Sequence, residues 1–191
     1  GDNDGAPPAP VTLLPAANVR ASTADLSAEI DSGGGLGTDY RLEISRNGTA
    51  WSTASTGQIA AGATDTVTDT ATGLLPNTLY RFRVVTAKQF GNPEIASPEL
   101  TFLTDAVKPE IVGTNADSIT DTAARLTSRI NPHSTATSYR FEYGTGNFHN
   151  RIPLPDASIG AGPALVFVEQ QLTGLQPNTT YQYRIVATSV T

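Results

Sequence analysis

The sequence predicts an all-β chain that folds as two successive β-sandwich domains. Three observations lead to this prediction: an internal repeat with a period of about 100 residues, period-two alternation of apolar and polar residues, and turn-forming clusters between the alternating segments. The chain has 191 residues, a length that suits two domains of common size. No segment shows convincing helical periodicity.

The repeat consists of three blocks that keep their order and nearly their spacing in both halves of the chain. The longest block lies in the later part of each copy and is nearly the same sequence twice. Because order and spacing are both kept, we interpret the halves as two copies of one domain. The matching blocks are Leu26 and Ile30 with Leu126 and Ile130, residues 40–43 (YRLE) with 139–142 (YRFE), and residues 72–85 (TGLLPNTLYRFRVV) with 173–186 (TGLQPNTTYQYRIV).

Each block has the pattern of a half-buried β-strand. Tyr139, Phe141 and Tyr143 alternate with Arg140 and Glu142, so one set faces a core and the other faces water. Turn-forming residues cluster between the blocks. Short alternating strands with frequent turns favour a sandwich of two sheets.

The predicted boundary between the copies falls after the segment Leu100–Leu103, the last strand of the first copy. We expect a flexible leader over residues 1–9, a first domain over 10–105 and a second over 106–191. The short connection around residues 105–109 contains Pro109, whose fixed φ predicts a fairly stiff linker.

The longest block, within residues 72–85 and 173–186, contains the pattern Leu-x-Pro-x-Thr-x-Tyr-x-x-Arg-(Val/Ile) in both copies. This pattern resembles the signature of fibronectin type III domains and occurs twice at the repeat spacing. The resemblance implies two tandem immunoglobulin-like β-sandwiches. It also implies that Tyr80 and Tyr181 form tyrosine corners, whose hydroxyls bond to backbone a few residues upstream, with Leu74 and Leu175 buried beside them. The turn at residues 131–132, ahead of the second copy's strand at residues 139–143 (strand C in that family), most resembles bacterial extracellular members.

The second copy departs from that family at its end. The first copy continues past Tyr80 into Leu100–Leu103, which supplies the last strand, G, whereas the second copy has no such segment after Tyr181. We therefore expect strand G of the second domain to be missing from this chain, which leaves an open edge. Two explanations stay open: the chain is a fragment of a longer protein, or another chain supplies the strand by strand-swapped self-association.

Two loop aromatics are the candidate binding residues. Trp51 follows the Asn47-Gly48 turn, and Phe90 lies in the loop after the strand that contains Tyr80. Loops at the ends of a sandwich carry binding in this architecture, and an exposed ring there could stack on a sugar or anchor a protein. The alternative is that either ring folds back over the core.

The charged residues of the repeated blocks form a second candidate surface. Alternation places them on the outer face of two neighbouring strands, where cross-strand pairs of opposite charge stabilise a sheet by only about 0.2–1 kcal/mol each. We expect a solvated face, with a ligand surface as the alternative. These residues are Arg41, Glu43, Arg81 and Arg83 in the first copy and Arg140, Glu142 and Arg184 in the second.

Composition and motif content argue against catalysis, cofactors, metals and nucleic acid. The formal charge is −6, from 18 acidic and 12 basic residues, which disfavours a phosphate backbone as partner. Cysteine is absent, and His133 and His149 stand without further ligands at metal-binding spacing. No apolar run is long enough for membrane insertion.

The sequence therefore predicts a non-catalytic, secreted or cell-surface module that acts as a spacer, in adhesion or in protein interaction. Its partner would be an unknown protein or polysaccharide at the cell surface. Two alternatives remain: an accessory module of a secreted, carbohydrate-active enzyme, and a subunit that assembles by strand exchange.

Overall fold

The computed structural model describes residues 10–89 and 93–190, and within them every regular element is a β-strand. All strand pairs in these ranges are antiparallel. The chain forms two compact units: the first reaches Leu74 and resumes over Thr78–Asp105, and the second comprises Leu75–Asn77 and Ala106–Thr191. The predicted fold class, two tandem immunoglobulin-like β-sandwiches, is confirmed.

The first unit contains two sheets. One has the strand order β1-β2-β5, and the other has the order β4-β3-β6, with β7 and β8 both pairing with β6. The strands are β1 (Val11–Ala17), β2 (Ala24–Asp31), β3 (Thr38–Ser45), β4 (Ser52–Ile59), β5 (Thr64–Ala71), β6 (Leu79–Lys88), β7 (Ile95–Ala96) and β8 (Leu100–Leu103).

The second unit repeats this arrangement with fewer strands among the residues described. Its sheets have the orders β13-β10-β9 and β12-β11-β14. The strands are β9 (Glu110–Asp117), β10 (Ala123–Asn131), β11 (Thr137–Gly144), β12 (Asn150–Gly160), β13 (Val166–Thr173) and β14 (Gln182–Ser189).

The core of the first unit follows directly from the alternation. Leu26, Ala28 and Ile30 of β2 point inward and are fully buried, as are Leu42 of β3 and Phe82 of β6. Because successive strand residues face opposite sides, the residues between them are left on the outer face of each sheet. This outer face of β3 and β6 carries the charged side chains described below.

The second unit has an equivalent core around Leu126, Ile130 and Phe141, all buried. Leu175, which the family resemblance places as a buried plug, is only half-buried, whereas its counterpart Leu74 is buried. The difference arises because no strand of the described range covers this end of the sandwich as β8 does in the first unit.

Candidate functional site

Of the two predicted binding aromatics, Trp51 lies between β3 and β4 and is half-buried. It is not a free loop ring, because the guanidinium carbon of Arg83 stands 4.0 Å from its ring centroid. Such a cation–π contact is worth about 0.5–1 kcal/mol at an accessible position and fixes the orientation of both groups. Phe90 lies outside the described residues.

Arg83 belongs to a charged row that crosses the outer face of the first unit's larger sheet. Glu43 and Arg83 are directly opposite each other on β3 and β6, and Arg83 Nε donates to Glu43 Oε2 at 2.8 Å. Arg41 Nε donates to the other oxygen of Glu43 at 2.6 Å, and its terminal nitrogens make a bidentate contact with Glu94. The first row is therefore Glu94–Arg41–Glu43–Arg83–Trp51.

The second unit contains the same row on β11 and β14. Glu142 accepts from Arg140 Nε at 2.7 Å and from Arg184 Nε at 2.8 Å. Arg140 also donates to Asp156 at 2.8 Å, and Arg184 Cζ lies 4.3 Å from the ring centroid of Phe148. The second row is therefore Asp156–Arg140–Glu142–Arg184–Phe148.

The central carboxylates of the rows are ionised and held in place. Burial of Glu43 by itself would raise its pKa, but the hydrogen bonds from Arg41 and Arg83 outweigh that effect and lower the pKa below the ordinary value. Hydrogen bonds from Arg140 and then Arg184 likewise lower the pKa of Glu142. Both glutamates are buried although they lie on the outer sheet face. The expected solvated face is thus wrong for these two carboxylates, because arginine side chains cover them.

The sequence pattern placed Arg81 on the same face as Arg41, Glu43 and Arg83, without assigning partners. In the structure Arg81 does not belong to the row and contacts Glu99 at 3.3 Å. The residues that end the rows, Glu94, Asp156 and Phe148, were not identified from the sequence. Phe148 could have been found from the repeat, because it follows β11 as Trp51 follows β3; the two acids have no such signal.

An open groove of about 380 Å³ lies on the same outer face of the first unit, bordered by β3, β4 and β6. Its lining includes Asp39, Arg41, Gln58, Thr86 and Glu94. The Oδ1 atom of Asp39 is shielded from solvent and has no hydrogen-bond partner among the described residues. A carboxylate oxygen in that condition is costly, and in native proteins an ordered water commonly satisfies such an atom.

The two predicted tyrosine-corner residues occupy equivalent positions at the start of the last long strand of each unit. Tyr80 lies within β6, and Tyr181 directly precedes β14. The hydroxyl of Tyr181 accepts a hydrogen bond from the backbone N–H of Gln176 at 3.0 Å. Tyr80 is buried, and its ring is stacked on Phe102 at a centroid distance of 5.7 Å. Among the described residues there is no group of three or more metal-ligating side chains.

No protein-family model and no curated protein matches the chain. Solved structures do: the short form of the sensor domain of the anti-sigma factor RsgI4 from Pseudobacteroides cellulosolvens is 24% identical with a TM-score of 0.42, over 54% of this chain and 100% of that one. A segment of two fibronectin type III domains from chicken tenascin is 18% identical with a TM-score of 0.42, over 94% of this chain and 90% of that one. Red sea bream transglutaminase is 10% identical with a TM-score of 0.38, over 97% of this chain and 30% of that one. Similarity this weak transfers no function, so the functional conclusion depends on the geometry of the chain itself.

Proposed function

We propose that this chain is a non-catalytic interaction module of an extracellular or cell-surface protein. In this proposal the first domain binds a basic segment of a protein partner in the groove beside its charged row. The observation that carries the proposal is the position of Asp39, a carboxyl residue that lines an open groove beside a row whose own charges are already matched.

The charge balance of the groove favours a cationic group. The arginines of the first row, Arg41 and Arg83, are matched by two carboxylates, Glu43 and Glu94. Asp39 adds one negative charge that this row does not neutralise. A lysine or arginine side chain in the groove would supply a positive charge opposite Asp39 and N–H donors for its carboxylate.

The electrostatics of the described residues also suit binding better than catalysis. The carboxyl groups whose pKa values are clearly displaced, including those of Glu43, Glu94 and Glu142, are all displaced downward by hydrogen-bond donors. A general acid at neutral pH needs the opposite displacement, since it must keep its proton. These groups are fixed anions, which position other groups without exchanging protons.

A direct test is an NMR titration of the full chain with the capped basic peptide acetyl-Lys-Arg-Lys-amide. We expect saturable shifts of the amides that border the groove, with weaker binding at higher salt. Asp39→Asn should weaken binding about tenfold, because a charge-assisted hydrogen bond is worth about 1.5–3 kcal/mol.

Ser138 provides the matched control, since it stands in the second copy where Asp39 stands in the first, and Ser138→Ala should leave the peptide affinity unchanged. Absence of saturable shifts in the groove would refute the proposal. Equal effects of the two substitutions would refute it as well.

Polysaccharide binding through Trp51 is the second candidate, and the position of the ring between β3 and β4 is what favours it. Arg83 occupies one ring face, so a sugar would have to stack on the other. Affinity electrophoresis in polysaccharide gels tests this: retardation that Trp51→Ala abolishes supports it, and migration unchanged by every common polymer excludes it.

The extracellular or cell-surface location is part of the proposal, and its support is the sequence resemblance to bacterial extracellular fibronectin type III domains. Within residues 10–89 and 93–190, no helix has the length and apolarity to cross a membrane. Antibody labelling of intact cells that produce the natural protein tests the location, and labelling only after permeabilisation would contradict it.

A further inference from the structure

The second unit has an exposed cation between two apolar side chains, on the outer face of the sheet β13-β10-β9. This sheet is separate from the one that contains β14. Arg129 of β10 lies opposite Val112 of β9 on one side and opposite Phe167 of β13 on the other. Val112 is 43% exposed and Phe167 is 56% exposed, and Arg129 is exposed as well. These three residues form the Arg129 patch.

An open groove of about 260 Å³ runs along the patch. Gly113 is an extra residue of β9 that forms a β-bulge, because the register with β10 shifts beside it. Its φ is +73°, and an added Cβ would meet no atom within 4 Å. The hydroxyl of Ser128 donates to the Gly113 carbonyl at 2.7 Å and holds the bulge in place. The groove is therefore a fixed feature of the backbone.

The first unit has no such patch. The repeat relates Arg129 to Glu29, whose neighbours on β1 and β5 are Thr12 and Thr66. All three of these residues are polar and exposed, and β1 pairs with β2 in regular register at this point. The positive charge, the two apolar neighbours and the bulge are thus properties of the second unit and not of the shared fold.

Arg129 has no anionic partner among the described residues. The two acids of its own sheet face, Asp117 and Glu169, both contact Arg125. The remaining arginine ion pairs of the second unit lie on the other sheet and involve Arg140, Arg151 and Arg184. The guanidinium of Arg129 is therefore available to an anion from outside these residues.

The composition of the patch restricts what can cover it. A partner that packs on Val112 and Phe167 also covers Arg129, because side chains opposite each other on neighbouring strands lie only about 5 Å apart. Removing water from a guanidinium without supplying a counter-ion is unfavourable, so a purely apolar partner is disfavoured. A carboxylate beside a large apolar side chain satisfies both parts of the patch, since it accepts hydrogen bonds where water is excluded.

We propose that the Arg129 patch binds an acidic segment of a protein partner, in which an aspartate or glutamate stands next to a large apolar residue. Arginine and aromatic residues are enriched at protein interfaces, which favours a polypeptide as the occupant. This site has the opposite charge preference from the groove that contains Asp39. The two copies of the domain thus present surfaces for segments of opposite charge.

The test is an NMR titration of the full chain with the capped peptide acetyl-Asp-Leu-Asp-amide. We expect saturable shifts of amides in β9, β10 and β13 around the patch, with weaker binding at higher salt. The peptide acetyl-Asn-Leu-Asn-amide has nearly the same shape without the charges and should bind at least about tenfold more weakly. The peptide acetyl-Asp-Gly-Asp-amide lacks the apolar side chain and should bind about fivefold more weakly.

Variants of the chain locate the site. Arg129→Gln should weaken binding of acetyl-Asp-Leu-Asp-amide at least about tenfold. Phe167→Thr, which introduces the residue of the first copy, should weaken it about fivefold. Both side chains are exposed, so the remaining amide spectrum should show an intact fold.

Matched controls make the same kinds of change elsewhere. Arg151→Gln and Leu154→Thr alter exposed residues of β12 that do not line the groove, and both should leave the affinity unchanged. Asp39→Asn should also leave it unchanged, so the outcome here is independent of the binding proposed for the first unit.

Four results overturn the proposal. One is the absence of saturable shifts at about 5 mM peptide, a concentration that detects even millimolar association. Another is equal weakening by Arg129→Gln and Arg151→Gln, because binding would then follow overall charge. A third is that digalacturonate, an acidic disaccharide, shifts the same amides while the peptide does not. The last is loss of peptide binding in any longer form of the natural protein, because further residues of the same polypeptide would then occupy the patch.

Discussion

Truncation of equivalent aromatic residues in the two units should have unequal effects on stability. Phe82→Ala removes a ring that is fully buried and edge-on to Phe102. Loss of such a ring costs about 3–5 kcal/mol, since a cavity remains behind it. Tyr183→Ala removes a ring of about 200 Å² that is 36% exposed. Its buried two thirds, at about 25 cal/mol per Å², correspond to about 3 kcal/mol, of which the alanine methyl retains about 1 kcal/mol.

The expected losses are therefore about 4 kcal/mol for Phe82→Ala and about 2 kcal/mol for Tyr183→Ala. No new closed cavity forms in the second case, because Tyr183 lines a groove of about 320 Å³ in the second unit that is already open.

Urea unfolding can assign each loss to its unit, because the single tryptophan of the chain, Trp51, lies in the first. Tryptophan fluorescence reports the first unit, while far-UV circular dichroism reports both. Phe82→Ala should move the fluorescence transition, and Tyr183→Ala should move the transition seen only by circular dichroism. Losses within about 0.5 kcal/mol of each other would refute the reasoning, because they would mean that the groove is closed in solution.

Three further predictions concern the charged rows and the close contacts of the first unit. Because the pKa values of Glu43 and Glu142 are lowered by folding, their stabilisation is complete above about pH 4.3 and is lost as the pH falls through the lower folded values. Urea midpoints measured from neutral to strongly acidic pH should show this loss, and a flat profile would contradict it. Gly57→Ala should destabilise the first unit by about 1–3 kcal/mol, because the added Cβ would lie 2.5 Å from the hydroxyl oxygen of Tyr40. Gly34→Ala, which meets nothing within 4 Å, is its control in the same unfolding assay, and equal losses would count against the contact. Asp39→Ala should leave stability unchanged or raise it by about 1 kcal/mol, since it removes a shielded oxygen without a partner; a clear loss would mean that this oxygen is satisfied in solution.

The strands of the repeated blocks were predictable because their patterns are local. The strand expected around Leu26 and Ile30 is β2, Ala24–Asp31, and the one expected around Leu126 and Ile130 is β10, Ala123–Asn131. In both, period-two alternation survives because one face is buried and the other is not. β7 was not predicted, since the two residues of Ile95–Ala96 are too few to show a period.

The charged rows were only partly predictable, because they combine neighbours on adjacent strands with partners from outside the repeat. The pairing of Glu43 with Arg83 follows from the strand register. Glu94 lies beyond β6, in a stretch without alternation, and its contact with Arg41 spans 53 positions of sequence. The stacking of Arg83 on Trp51 likewise depends on how a turn folds back over the sheet. Such contacts are properties of the tertiary structure and leave no periodic signal.

The rows end in acids that the repeat does not relate to each other, and this difference has a physical explanation. In each unit the central glutamate accepts hydrogen bonds from two arginines of the row, and in the second unit Arg151 Nε also lies 3.8 Å from it. The outer arginine of each row meets a second acid, which is Glu94, ahead of β7, in the first unit and Asp156, within β12, in the second. Different parts of the chain thus supply an anion at the same end of the row, as expected if an unpaired guanidinium there is unfavourable.

Asp39 differs from the acids that end the rows, because it adjoins a row whose arginines are already matched and it lines the open groove of the first unit. The second copy has the uncharged Ser138 at this position. The two copies share the row but differ at this residue, which agrees with the proposal that the row stabilises the sheet in both units while Asp39 takes part in binding in the first alone.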